Sequence, residues 1–528
     1  MSEGEGFQSF AGALGWLDFA VVAGAIGVLL VIAYLSGRRE KDTQDFFLGE
    51  RRVPSIIASL SFVATEISAM TIAAVPAAGY RENWQYLQFF IGSAAAKVLI
   101  ALLFIPAFYK YKCTTVYEFL RHRFGPETQY AGSVFFFITR LLASGVRLFV
   151  ACSAVSIILG WRLELALVLF TVVSTAFIAF GGIKAVVWTG AFEATVFFVA
   201  ALAVIGYLLT HIAGGLPEAW RVAGEGGRLS LFNVEANLTD PKTLWGASAN
   251  AFFVGLAVFG TDQEMMQRLL TVESRRSSQK ALVGTIAATL PLVMAYLAVG
   301  TLLYVFYQQN PSLPRPDNSD KILSHFTVQA LPFGLKGLVL AAIILASIDS
   351  PLNSLTSSFI TDIYRPLVRK GASERHYLWV SRAGVVAFGI LLIMIAWPCQ
   401  KIEGILWVGL QVFTVTGGAT LGVFLLGLVT KRVVNRGNVV AMVTSSVAMG
   451  VAICASEVGI GGWKLGIGWT WLIVIGTAIT FGLGYLFSLV GRRRYGDEPQ
   501  SRPNRPRLND YRVAWPLAIP ASPRRFFS

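Results

Sequence analysis

The chain has 528 residues, 55% of them hydrophobic and only 14% charged, where an ordinary soluble domain carries about 25% charged residues. With a mean hydropathy of +0.61, this composition argues against a soluble enzyme. The 44 Lys and Arg against 30 Asp and Glu leave +14, and in so apolar a chain the basic excess points to membrane-protein loops rather than to a nucleic-acid surface.

The first ten residues, MSEGEGFQSF, are acidic and lack a basic region and a small-residue cleavage site, so the apolar run behind them is expected to be retained as a span. Crossing the hydrocarbon layer takes roughly 20 apolar residues as helix. About thirteen such runs occur. They lie near 14–36, 53–79, 84–109, 128–160, 163–180, 183–213, 244–267, 278–307, 335–364, 377–399, 403–429, 436–456 and 466–490. The sequence therefore predicts an all-α integral membrane protein. Basic residues gather in alternate loops: Arg38 to Arg52, Lys110 to Arg123, Lys184, Arg268 to Lys280, Arg365 to Arg375, Lys431 to Arg436, and Arg492 to Arg494. The positive-inside rule then places the N-terminus outside and the C-terminus in the cytoplasm of a plasma or bacterial inner membrane.

Within the spans, charge is costly, about 2.5–3.5 kcal/mol per group at the helix centre. Six charges nevertheless occur there: Glu66, Lys97, Arg140, Arg147, Glu193 and Asp349. Three of each sign fit an internal paired network, whether functional or a set of static salt bridges. The second span, ASLSFVATEISAMTIAAVPAAGY, is weakly helical in its middle, and the seventh, NAFFVGLAVFGTDQEMMQR, carries Gly255, Gly260 and a polar end. Broken helices of this kind present carbonyls and dipole ends at mid-membrane, and their separation by five spans suggests an inverted repeat. The alternative for the second span is a small-residue packing helix. In the ninth span, Ser347, Ser350, Ser354 and Ser358 share one face, with Asp349 at its edge. Hydroxyls, a carboxylate and released carbonyls suit an alkali cation. Four dispersed cysteines without a CxxC pair suggest neither disulfides nor zinc, and the four histidines fall in or beside loops, away from any nucleophile and acid. No enzyme is expected.

Taken in order, the strings FFLGERRVPSIIASLSFVAT, FYKYKCTTVYEFLRHRFG, GGIKAVVWT, GTDQEMMQRLL, NSLTSSFITDIY and VFLLGLVTKR resemble the sodium/solute symporter family. The resemblance implies a LeuT-type core of five plus five inverted-repeat helices. Residues 51–430 would form this ten-helix core, after an N-terminal part, 1–50, with an external N-terminus, the first span and a cytoplasmic loop. Two accessory spans would follow at 431–490 and a basic tail, expected to be disordered, at 491–528. The resemblance also implies Na⁺-coupled symport of a small organic solute or anion by alternating access. By position, the family's Na⁺ site maps to Ala64, Ile67, Ile343, Ala346 and Ser347, with Asp349 and Ser350 close by. The solute pocket maps to Thr65, Glu66, Gln88, Phe253, Phe259 and Gln411.

Two positions depart from the family pattern. Ala346 stands where many members have a second hydroxyl, and Gly190 stands where members commonly have Asp. With that Asp missing, Arg140 is expected to take Glu193 or Asp349 as its carboxylate. Asp349 leaves H⁺ coupling open as an alternative to Na⁺, and a sensor or channel on the same bundle is the rival outside transport. The expected partners are a small solute and the bilayer, not nucleic acid; the residues name neither the solute nor the oligomeric state. GGIKAVVWT leans toward the iodide, monocarboxylate and vitamin branch, in which Arg147 would serve an anion.

Overall fold

The computed structural model describes residues 14–37, 42–235, 237, 240, 242–316, 319–346, 351–401, 405–431, 434–457 and 471–490. Among them there is no strand. The helices run α1 (Trp16–Gly37), α2 (Thr43–Leu48), α3 (Ser55–Glu66), α4 (Ala69–Arg81), α5 (Leu87–Lys110), α6 (Val116–Arg123), α7 (Pro126–Leu159), α8 (Leu163–His211), α9 (Gly215–Glu225) and α10 (Leu244–Gly260). They continue as α11 (Gln263–Leu270), α12 (Arg275–Gln309), α13 (Ile322–Gln329), α14 (Leu335–Leu345), α15 (Pro351–Ser358), α16 (Glu374–Ala396), α17 (Ile405–Val429), α18 (Arg436–Glu457) and α19 (Leu472–Val490).

Among the described residues, eight helices are long and apolar enough to cross a membrane, or nine if the bent pair α10 and α11 is one span. The second, fifth, seventh and ninth expected spans coincide with shorter or interrupted helices, and the eleventh with α17. Their interruptions fall where the side chains weaken the helical ladder. In the second span α3 stops at Glu66, Ile67 leaves helical geometry at φ −89°, ψ 88°, and α4 starts after an extended Ser68. Just before the break, Thr65 Oγ1 bonds back to the Ser61 carbonyl at 3.0 Å, a local alternative that Thr offers the backbone. In the seventh span the chain bends by 60° between α10 and α11, and Asp262 starts the second piece by accepting the Glu264 N–H at 2.8 Å. The fifth and sixth expected spans meet at Gly182, whose φ of 48° and ψ of −149° suit glycine and few other residues.

Two groups of helices are distinguished by their packing, and they meet where α3 and α12 lie against α8. In the first, α4 lies against α12, α5 against α10 and α12, and α3 against α12. Here Gly300 faces the Pro76 carbonyl and Gly79 the Leu297 carbonyl, so closely that a Cβ on either would collide with backbone. Gly92 meets the Ser248 carbonyl in the same way. These seams hold α4 to α12 and α5 to α10, and α12, packed on both α3 and α5, connects the five helices. In the second group α7 packs on α16 and α17, and α16 on α8 and α15. Outward-facing positions such as Leu102, Val172, Ile390, Met394 and Val447 are large, apolar and exposed, a surface suited to lipid tails.

Candidate functional site

The two helix breaks sit next to the buried charges. At the first, the helical ladder ends with the Ile67 N–H on the Val63 carbonyl, so the last carbonyls of α3 are released from helical bonding. Ala64 and Ile67 are buried there, and α14, carrying Ile343 and Ala346, packs against α4. Ile343 and Ala346 are also buried, and the Ala346 N–H closes the last bond of α14 onto the Ala342 carbonyl. Ser347, Asp349 and Ser350 lie outside the described residues.

Glu66, the last residue of α3, accepts Lys97 Nζ at 2.7 and 3.0 Å and Thr289 Oγ1 at 2.9 Å. Lys97 also lies 5.0 Å from the centre of the Phe259 ring and 5.8 Å from that of Phe62. Phe253 is half-buried on α10, edge-on to Phe252. Gln88 is committed to backbone: its amide group donates to the Gln85 and Lys242 carbonyls and accepts the Asn233 N–H. It therefore ties the segment before α10 to the start of α5. Gln411 falls on α17, outside the described side chains.

At the second break, Arg140 of α7 is paired with Asp262 and Glu264. Both carboxylates come from the bent span; of the two acids expected for Arg140, Glu193 is buried on α8 and Asp349 lies outside the described residues. Asp262 uses one carboxylate oxygen to start α11 and the other for Arg140, so the bend and the ion pair share a residue. Arg147, two turns along α7, meets Glu264 at 3.7 Å, beyond hydrogen-bond reach, and its side chain keeps 23% exposure. Asp262 and Glu264 had been legible only as the polar end of a span, because nothing local marks their partner on α7.

The departure at Gly190 has a steric counterpart. A Cβ there would meet the Ser61 Cα at 3.1 Å, and Ser61 Oγ accepts Arg268 Nε at 3.0 Å. An Asp at 190 would crowd the place where α8 lies against α3.

Three of the family-like strings meet on the face that carries the basic loops. Gln263 of α11 accepts the Val116 N–H at 2.9 Å and donates to the Thr114 carbonyl at 3.2 Å and Ser357 Oγ at 3.4 Å. Tyr117 donates to the Thr261 carbonyl at 3.0 Å. Behind them the buried Asp362 accepts Thr115, Gln129 and Ser358, each at 2.7 Å. Outside this layer opens a cavity of about 570 Å³ whose lining includes Lys112, Glu118, Arg121, Arg365 and Lys370.

Comparison with known proteins gives a consistent answer. Residues 46–445 match the sodium:solute symporter family. The sodium/sialic acid symporter SiaT of Proteus mirabilis is 27% identical over 464 residues, covering 84% of this chain and 90% of the relative. A putative sodium-dependent multivitamin transporter of Drosophila melanogaster is 30% identical over 450 residues, covering 82% and 74%. The human sodium-coupled monocarboxylate transporter 1 is 28% identical over 430 residues, covering 80% and 70%. Among solved structures, the substrate-bound outward-open state of a Na⁺-coupled sialic acid symporter superposes with a TM-score of 0.81 at 26% identity, covering 90% of this chain and 98% of that one.

Proposed function

The chain belongs to the sodium:solute symporter family and is a sodium-coupled symporter with the inverted-repeat fold; from that premise we propose that its solute is a small organic carboxylate and that Na⁺ binds at the break of α3. The observation that carries the solute class is Arg147. Arg140 is buried and held by both Asp262 and Glu264, whereas Arg147 holds Glu264 only at 3.7 Å and retains exposure. A guanidinium in this condition suits a bidentate carboxylate from outside. Relatives named for sialic acid and for monocarboxylates agree with that chemistry.

For Na⁺ the ligands would be the carbonyls of Ala64 and Ile67 on one side, and those of Ile343 and Ala346 with Ser347 on the other. Released carbonyls at a helix break favour a small hard cation, and the negative end of the α3 dipole adds to the attraction. Ion binding there draws α14 toward α3 and α4, stabilising one arrangement of the two helix groups. Solute then joins, and the first group rocks against the other. We place the basic-loop face in the cytoplasm, with the N-terminus outside, on the charge asymmetry of the loops.

The test is uptake into proteoliposomes of radiolabelled carboxylates, such as a monocarboxylate and a sialic acid, under an imposed Na⁺ gradient. Accumulation above equilibrium is expected for at least one, lost in Arg147→Gln and weakened in Ser347→Ala. Uptake indifferent to Arg147→Gln would remove the carboxylate reading. A pH gradient driving uptake without Na⁺ would transfer the coupling to protons.

A further inference from the structure

The Glu66, Lys97 and Thr289 cluster has no part in the Na⁺ site just described, yet it sits at the same helix break. Lys97 is fully buried, while the Glu66 side chain keeps 13% exposure. The carboxylate receives the ammonium at 2.7 and 3.0 Å and the Thr289 hydroxyl at 2.9 Å. The rings of Phe259 and Phe62 flank the ammonium at 5.0 and 5.8 Å, a compensation that a desolvated cation gains from aromatic faces. A carboxylate and a hydroxyl at the negative end of a broken helix are the chemistry of an alkali-cation site. Here the cation is covalently attached.

A clamp between moving bodies would have to cross from one helix group to the other. This cluster does not: Glu66 is on α3, Lys97 on α5, Phe259 on α10 and Thr289 on α12, and these four already pack on one another through α12 and α5. Burying an ion pair where packing already holds the helices is not a stabilising choice, since apolar residues of similar size often do as well or better. We propose that Lys97 is a tethered cation occupying a latent second alkali-ion site formed by Glu66 and Thr289, so that each cycle moves one Na⁺ fewer than the oxygen groups at the break could hold. The proposal rests on sodium coupling but not on the ligand set assigned to Ala64 and Ser347.

The experiment uses the full chain in nanodiscs, with Na⁺ alone as the probe, and counts bound radioactive sodium in the parent protein, Lys97→Met, and Lys97→Met with Glu66→Gln. Lys97→Met is expected to bind one Na⁺ more than the parent, with a steeper Na⁺ titration. The double variant should return to the parent's number. If Lys97→Met is unstable, its expected behaviour is to fold in sodium chloride and not in choline chloride, while the double variant folds in both. Equal sodium counts in the parent and Lys97→Met, or instability of Lys97→Met that sodium does not relieve, would make the cluster a static ion pair and overturn the proposal. Failure of the other site reads out separately: Ser347→Ala would leave parental binding unchanged, whatever the difference between parent and Lys97→Met.

Discussion

Arg140→Gln is the most informative single change, because its guanidinium links α7 of one helix group to the bend between α10 and α11 of the other. Asp262 and Glu264 are buried, and removing one partner of a buried ion pair costs about 3–5 kcal/mol, chiefly through the charges left behind. At about 1.4 kcal/mol per tenfold, that is a factor of roughly 10² to 4 × 10³. If the pair exists only while the basic-loop face is closed, the whole cost falls on that state, and the equilibrium moves toward the open one by the same factor. Ser357 is a suitable reporter, fully buried and in contact with Gln263 across the closing layer. In a Cys454→Ser background, which removes the exposed native thiol, a cysteine placed by Ser357→Cys should react with an impermeant maleimide roughly 10²-fold faster when Arg140→Gln is added. Adding Asp262→Asn and Glu264→Gln should slow it again. An unchanged labelling rate together with a lowered melting temperature would refute the argument, showing that the pair only holds the fold together.

Gly190→Asp should lower the melting temperature, because overpacking against Ser61 costs about 1–3 kcal/mol; tighter Na⁺ binding without loss of stability would contradict the steric account. Glu118 lies in the loop between the third and fourth expected spans, and burial pushes its carboxyl above the usual carboxylate range. The folded chain therefore holds that proton more firmly than the unfolded chain, so the contribution to stability is largest at low pH and falls as pH rises through and above the ordinary range. Melting curves from acidic to neutral pH should show a shallower decline in Glu118→Gln, and identical slopes would exclude burial as the cause.

What the sequence made legible was the periodic and the local. Runs of apolar residues announced the spans, and the hydroxyl-rich middle of the second span and the polar end of the seventh announced breaks at Ile67 and Asp262. Pairings between remote side chains carry no such signal. Lys97 and Glu66 were visible as charges that must be neutralised, but their joining is a fact of tertiary packing. For Arg140 the sequence offers Glu193 or Asp349 as its carboxylate. The structure instead supplies Asp262 and Glu264 from the bent span, because an acid that starts a helix piece is already fixed in position and can turn its second oxygen to the arginine. Gln88 enters the expected pocket only through the resemblance to the family, and no local signal in the sequence shows that its amide binds loop backbone.

The placement of the family-like strings explains why mechanism is easier to read here than solute. Thr114 to Tyr117, Thr261 to Gln263 and Ser357 to Asp362 belong to three of those strings, and all three meet in the layer that closes the basic face. Hydrogen bonds in that layer run side chain to backbone or between side chains at fixed register, so each residue type is constrained by several partners at once. A solute pocket imposes no comparable requirement, since one guanidinium and a few apolar walls can be rearranged to suit another molecule. The side chains of the closing layer are therefore the ones the fold constrains most tightly. If the solute is the carboxylate proposed above, the side chains to vary for discrimination lie outside those strings, at Arg147, Phe253 and Phe259.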